Sequence, residues 1–183
     1  LGLYPGFLAV EDLTSSAVAP WMPTGADGNR RYRVYTAVRG EPAVTFVDLV
    51  TDATADGAEV TCVDCGGGCD GPAPHDCTEA YNIDAPSSGR EDLVPYLPNE
   101  PYGLAVEPAG GFLLLAHMVS GTLSLVDLVG YQGDLRRGGP DLVDVRTQVM
   151  SQDANGLSGG YDVVARTPGD PTGWFYVSNQ AAA

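Results

Sequence analysis

The sequence predicts an all-β fold of short antiparallel strands. Three observations point there. Apolar segments a few residues long recur along the chain, with Gly or Pro at most joints. Gly (24) and Pro (14) are abundant among the 183 residues, and both punctuate turns more readily than they sit inside helices. No segment shows the 3.6-residue apolar period of a convincing amphipathic helix, the nearest candidate being Ser87–Tyr96. The length suits one core-forming unit spanning 1–183. A hydrophobic content of 44% is not that of a disordered chain.

The strands are predicted in order. Phe7–Val10 follows Pro5-Gly6. Arg31–Val38 and Ala43–Val50, rich in β-branched and aromatic residues, flank the turn Arg39-Gly40-Glu41. Glu59–Val63 follows Gly57. Tyr102–Val106 is bounded by Pro101 and Pro108. Gly111–Val119 and Thr122–Leu128 flank Ser120-Gly121. Leu142–Arg146 follows Pro140, Tyr161–Ala165 follows Gly159-Gly160, and Trp174–Ser178 follows Gly173. The runs LLLA (113–116) and VDLV (47–50, 126–129) are apolar on both faces. Such strands belong to sheets covered on both sides.

The chain also repeats itself, and repeats decide architecture. RRYRVYTAVRGEPAVTFVDLV from Arg30 matches GGFLLLAHMVSGTLSLVDLV from Gly110. The second strands align without a gap: Val44 on Leu123, Phe46 on Leu125, Asp48 on Asp127 and Leu49 on Leu128. The offset from Asp48 to Asp127 is 79 residues, longer than the roughly 40–50 residues of one blade repeat. Residues 51–100 account for the excess as an insertion. A third copy closes the chain, with 161–165 matching 102–106 and 175–179 matching 113–117. A half-copy, YPGFLAVEDL, opens it.

The segment Pro101-Tyr-Gly-Leu-Ala-Val-Glu-Pro, then Gly-Gly-Phe-Leu-Leu-Leu-Ala-His117 and Ser120-Gly-Thr-Leu-Ser-Leu-Val-Asp-Leu128, resembles a YVTN-type β-propeller repeat. It is similar also to lactonase-like and NHL-like repeats. Phe175-Tyr176-Val177-Ser178-Asn179 is close to the motif that names the first family. The resemblance covers mainly 30–50, 101–146 and 159–180. It implies four-stranded antiparallel blades, about three of them, forming an incomplete arc of a larger propeller, since closed propellers use roughly four to eight. It implies no single function, because propellers host enzymes and binding modules alike. The remaining blades of the same polypeptide, or other protein chains, are the expected partners. The first residues are expected to be those of a processed or truncated chain.

Charge narrows the partners. There are 24 acidic residues against 9 basic ones, all Arg, for a net charge of −15. That argues against nucleic acid, which needs a basic stripe, and against purely electrostatic docking on anionic lipid. No apolar run reaches the roughly 18 residues of a membrane helix, so membrane association is expected only through a lipid anchor upstream. Cys62, Cys65, Cys69 and Cys77 cluster in CVDCGGGCDGPAPHDC. An even count in a Gly/Pro loop points to disulfides and an oxidising, extracytoplasmic compartment. A thiolate metal site is the rival, with His75 the one further ligand in reach. Gly66 stands where a haem-attachment motif requires His. Connectivity is open among three pairings.

Few residues suggest chemistry. His117 lies toward the inner end of a predicted blade strand, with Asn179 at the matching place in the third copy, so both are candidates at the mouth of a central channel. A lone His makes neither a triad nor a facial ligand set, and the alternative is a strand-end position that tolerates His or Asn. Asp48 and Asp127 recur, which suggests carboxylates capping backbone N–H groups after a strand. The 24–29 loop lacks calcium-ligand spacing, and Gly66-Gly67-Gly68 lacks the helix and Lys of a phosphate loop. No cofactor is expected. The sequence thus favours an extracytoplasmic propeller that binds protein or glycan, with no catalysis evident. A lactonase-like or quinoprotein-like enzyme and a subunit of an envelope or filament assembly are the alternatives. Recognition is expected at the insertions 51–100 and 129–140.

Overall fold

A computed structural model of the protein describes residues 5–13, 30–38, 41–52, 59–64, 82–84, 96–107, 111–128, 141–146, 158–165 and 175–181. Their regular structure is all β: β1 (Pro5–Asp12), β2 (Arg30–Val38), β3 (Ala43–Asp52), β4 (Glu59–Asp64), β5 (Asn82–Ile83), β6 (Pro101–Val106), β7 (Phe112–His117), β8 (Leu123–Asp127), β9 (Asp141–Arg146), β10 (Ser158–Ala165) and β11 (Phe175–Ala181). Three sheets result. The first runs β1-β2-β3-β4, with β5 also on β3. The middle one runs β6-β7-β8-β9, and the third is β10-β11. Every pairing is antiparallel. The Ser87–Tyr96 helix candidate lies outside the described residues except for Tyr96, which is not helical.

The middle sheet explains why its strands are apolar throughout. Successive side chains on a strand point to opposite faces. Leu104, Leu113, Leu115, Val126 and Leu128 point one way and pack with Ala9, Tyr35, Ala37, Val44 and Phe46 of the first sheet. Ala105, Leu114, Ala116 and Leu123 point the other way and pack with Val163, Ala165, Phe175 and Val177 of the third. A sheet with cores on both faces has no solvent face to make polar. Each buried Leu or Val contributes on the order of 1.5–3 kcal/mol. The sheets meet through their opening strands, β1 against β6 and β6 against β10. This arrangement is consistent with consecutive propeller blades.

The register refines the repeat. Phe46 pairs with Tyr35, and Leu125 pairs with Leu114. Tyr35 is therefore equivalent to Leu114, and the 79-residue offset runs through the first strand of the match as well. Matching from Arg30 and Gly110 is one residue out; Arg31 is the true counterpart of Gly110. The error arises because that strand is apolar on both faces, so a one-residue slip still looks well matched. The opening half-copy is β1: Ala9 pairs with Tyr35 as Ala105 pairs with Leu114. The identical stretch Leu-Ala-Val-Glu thus sits at 8–11 and 104–107. In the third sheet Val163 pairs with Val177, as Leu104 pairs with Leu115, in the register the repeat requires.

Candidate functional site

His117 ends β7, where the chain turns toward β8. The turn is closed by Gly121 N–H donating to His117 O (3.1 Å) and His117 N–H to Thr122 O (3.0 Å). Gly121 has φ 63°, a left-handed conformation that glycine adopts without steric cost. The imidazole is 0% exposed, and its Nε2 lies 2.8 Å from Ser124 Oγ. Nδ1 makes no well-formed hydrogen bond, although the backbone of Asn99 and Pro98 is beside it. Burial lowers the His117 pKa to about 4, while those backbone groups partly favour the charged ring. The ring is therefore neutral at pH 7.

A Ser Oγ held by a His Nε2 is the first half of an activated nucleophile. A working site also needs a group to orient the base and a place for the substrate. Here Ser124 is as fully buried as the ring, and Nδ1 carries no carboxylate. The pair links the adjacent strands β7 and β8. Asn179 lies in β11 opposite Gly160; its side chain lies outside the described residues.

A second polar cluster is buried in the first sheet, on the face toward the middle sheet. Arg33 Nε donates to Asp48 Oδ1 at 2.6 Å and a terminal guanidinium N–H to Oδ2 at 2.7 Å. The guanidinium also lies 4.5 Å from the Phe46 ring centroid. Two residues along β2, Tyr35 O–H donates to Glu11 Oε2 of β1 at 2.6 Å. Burial raises the Glu11 pKa, and the Tyr35 hydrogen bond and the Arg33 charge only partly offset it. Burial and the neighbouring Glu11 charge push the Tyr35 phenol well above its ordinary value. Burial disfavours the Arg33 charge, but Asp48 more than restores it.

This corrects the reading of Asp48 as a strand-end cap. Asp48 lies inside β3, and its carboxylate takes a bidentate Arg fork. Arg33 was not singled out in the sequence; its place opposite Asp48 depends on strand register, which becomes visible only when β2 and β3 are paired. The recurrence itself is more extensive than a pair of aspartates. Glu11, Arg33, Asp48 and Asp64 form one transverse row across the first sheet. Glu107, Phe112, Asp127 and Asp141 form the same row in the middle sheet.

The cysteine segment leaves the edge of the first sheet. β4 pairs with β3 along Asp48–Asp52, and β5 pairs with the same edge of β3 at Val44 and Thr45. The fourth strand of this sheet is thus split, and residues 65–81 lie between its halves. Both halves are fixed. Cys62 on β4 is disulfide-bonded. On β5, Ile83 is buried in the core, and Asn82 Oδ1 accepts from Thr45 Oγ1 at 2.8 Å. Cys65, Cys69, Cys77 and His75 lie outside the described residues, as does the 129–140 segment.

No family model matches the sequence, and no curated protein does. A solved crystal structure of a protein from Lactobacillus plantarum is similar at 17% identity and a TM-score of 0.36, over 96% of this chain and 50% of that one. The chain thus spans about half the length of that protein. Its functional reading rests on its own residues.

Proposed function

We propose that this chain is an extracytoplasmic scaffold of propeller blades that presents the cysteine-rich segment 65–81 to a protein or glycan partner. The split fourth strand carries the reading. The chain leaves the sheet at Asp64 and returns at Asn82 on the same edge of β3, so the segment starts and ends on one rigid support. Recognition loops on rigid scaffolds are built this way. Disulfides among Cys62, Cys65, Cys69 and Cys77 would preorganise the segment and reduce the entropy cost of binding. Asp64, Asp70 and Asp76 favour a partner with basic groups.

The test replaces 65–81 with a short Gly-Ser linker. The variant should keep the β-sheet spectrum and the cooperative melt of the parent while losing binding on glycan arrays and to envelope proteins. Equal binding by both proteins would refute the reading. Thiol titration should find no free thiol until reductant is added. The Ser124–His117 contact favours one alternative, a hydrolase. It predicts turnover of lactones or aryl esters that His117→Ala abolishes, and no turnover by the intact protein would remove it.

A further inference from the structure

Glu100 is the one non-glycine residue with a positive φ among the described residues, at 54°. That left-handed conformation is unfavourable for a residue with a Cβ. It is more so before Pro101, because a residue preceding proline is ordinarily extended. Such outliers persist where the surrounding structure holds them, and they collect at clamps and switches. Here the holder is a short strap. Leu97 and Pro101, both buried, anchor its ends, and Pro98, Asn99 and Glu100 span the gap. Glu100 O accepts from the Met118 N–H at 3.3 Å, and the Leu97 N–H donates to Asp84 O at 2.9 Å. The strap is thus fastened to the end of β7 on one side and to the residue after β5 on the other.

The His117 ring lies beside the backbone of Pro98 and Asn99. It is 0% exposed, and its Nδ1 makes no well-formed hydrogen bond. Among the described residues no charged side chain acts on it. The strap offers backbone, β8 offers the Ser124 hydroxyl, and Pro101 of β6 sits opposite. The carboxylates of the strap and its anchor are Glu100 and Asp84. A proton on this ring is a buried charge without a counter-charge, which is costly until water reaches it. Lifting the strap hydrates Nδ1 and frees Glu100 from its left-handed conformation in one movement.

We infer that His117 is a proton-operated latch on this strap. The neutral ring lies under the closed strap. The protonated ring lifts it and loosens Asn82–Asp84, the limb on which the chain returns to the first sheet after segment 65–81. Leu97 and Ile83 share one core cluster, which ties strap and limb together. The sign follows from burial. The covered ring titrates at about 4 and a hydrated one near 6.5, so a proton favours the open strap. The ratio of open to closed strap should rise about 100-fold between pH 7 and pH 4. The latch does not depend on what segment 65–81 binds.

Amide hydrogen exchange of the full chain across this pH range is the test, read as protection factors to remove the intrinsic pH dependence of exchange. Protection at Met118 and Leu97 should fall about 100-fold from pH 7 to pH 4. The β5 amides should follow, and the β2–β3 amides should change less. His117→Asn should flatten the profile at all of these amides. Glu100→Gln and Asp84→Asn should keep the fall of the parent. In the parent itself, the imidazole resonances should titrate between about 4 and 6.5, together with the strap resonances, a readout that needs no variant to fold. Four results would each overturn the latch: no fall at Met118 and Leu97, an equal fall in every strand, a fall that survives His117→Asn, or one that Glu100→Gln removes. A ring that titrates while the strap stays still would do the same.

Discussion

Arg33 and Asp48 leave water together, and the energetics of that step are lopsided. Desolvating two charges costs several kcal/mol, which a bidentate pair recovers only in part. Removing one partner recovers none of it. Asp48→Ala should therefore destabilise the fold by about 3–5 kcal/mol, because Arg33 would lose its bidentate carboxylate while staying buried against Phe46. The double variant Arg33→Met/Asp48→Leu should restore most of the loss, as a denaturant-melt double-mutant cycle will read. If the single variant costs no more than an exposed pair, ~1 kcal/mol or less, the guanidinium has another outlet. His117 makes a prediction in pH. Its folded pKa of about 4 lies below its ordinary value of 6.5, so the unfolded chain binds the proton first. Stability from the neutral ring is complete above about pH 6.5 and falls as pH drops toward 4, by at most about 3 kcal/mol. Glu11 acts oppositely: its raised pKa takes stability away as pH rises through that value. The two separate in His117→Asn, the residue the repeat places at 179. That variant should flatten the melting-temperature profile between pH 6.5 and 4 while leaving the Glu11 contribution. An unchanged profile would assign the acid sensitivity elsewhere.

The elements show which signals a sequence carries. All ten longer strands were legible, because turn residues bound each apolar run and strands need little else locally. Their ends were not: β7 stops at His117 and not at Val119, since the turn hydrogen bonds of His117 are set by the β7–β8 hairpin. β5 left no signal. Two residues cannot show alternation, and Asn82–Ile83 is a strand only because β3 offers an open edge at Val44 and Thr45. The candidate site divides the same way. The cysteines and His117 stood out by composition, whereas Arg33, Ser124 and Glu11 became partners only through register. β5 should matter beyond its length. Ile83→Ala removes a core side chain and should cost about 2–4 kcal/mol. It should also speed amide exchange at Asn82 and Ile83 well before the β2–β3 amides respond. Uniform loss of protection across β2, β3 and β5 would mean that the split strand is not a separable clamp.

For the whole molecule, burial follows position in the stack more closely than residue type. Leu8 and Leu104 occupy the same place in identical Leu-Ala-Val-Glu strands, yet Leu104 is 4% exposed and Leu8 63%. The first sheet covers Leu104, and no sheet among the described residues covers Leu8. Leu104→Ala should therefore cost about 2–5 kcal/mol through lost burial and a residual cavity. Leu8→Ala should cost under about 0.5 kcal/mol in dilute solution, the range of exposed substitutions. The pair is a close comparison, because the Leu-Ala-Val-Glu stretch and its place in the strand register are shared, although Leu8 lies opposite Thr36 and Leu104 opposite Leu115. Denaturant melts of both variants in dilute solution would read this directly. A Leu8→Ala cost as large as that of Leu104→Ala would mean that Leu8 itself, like Thr36 and Thr45 on the same face, is covered within the single chain.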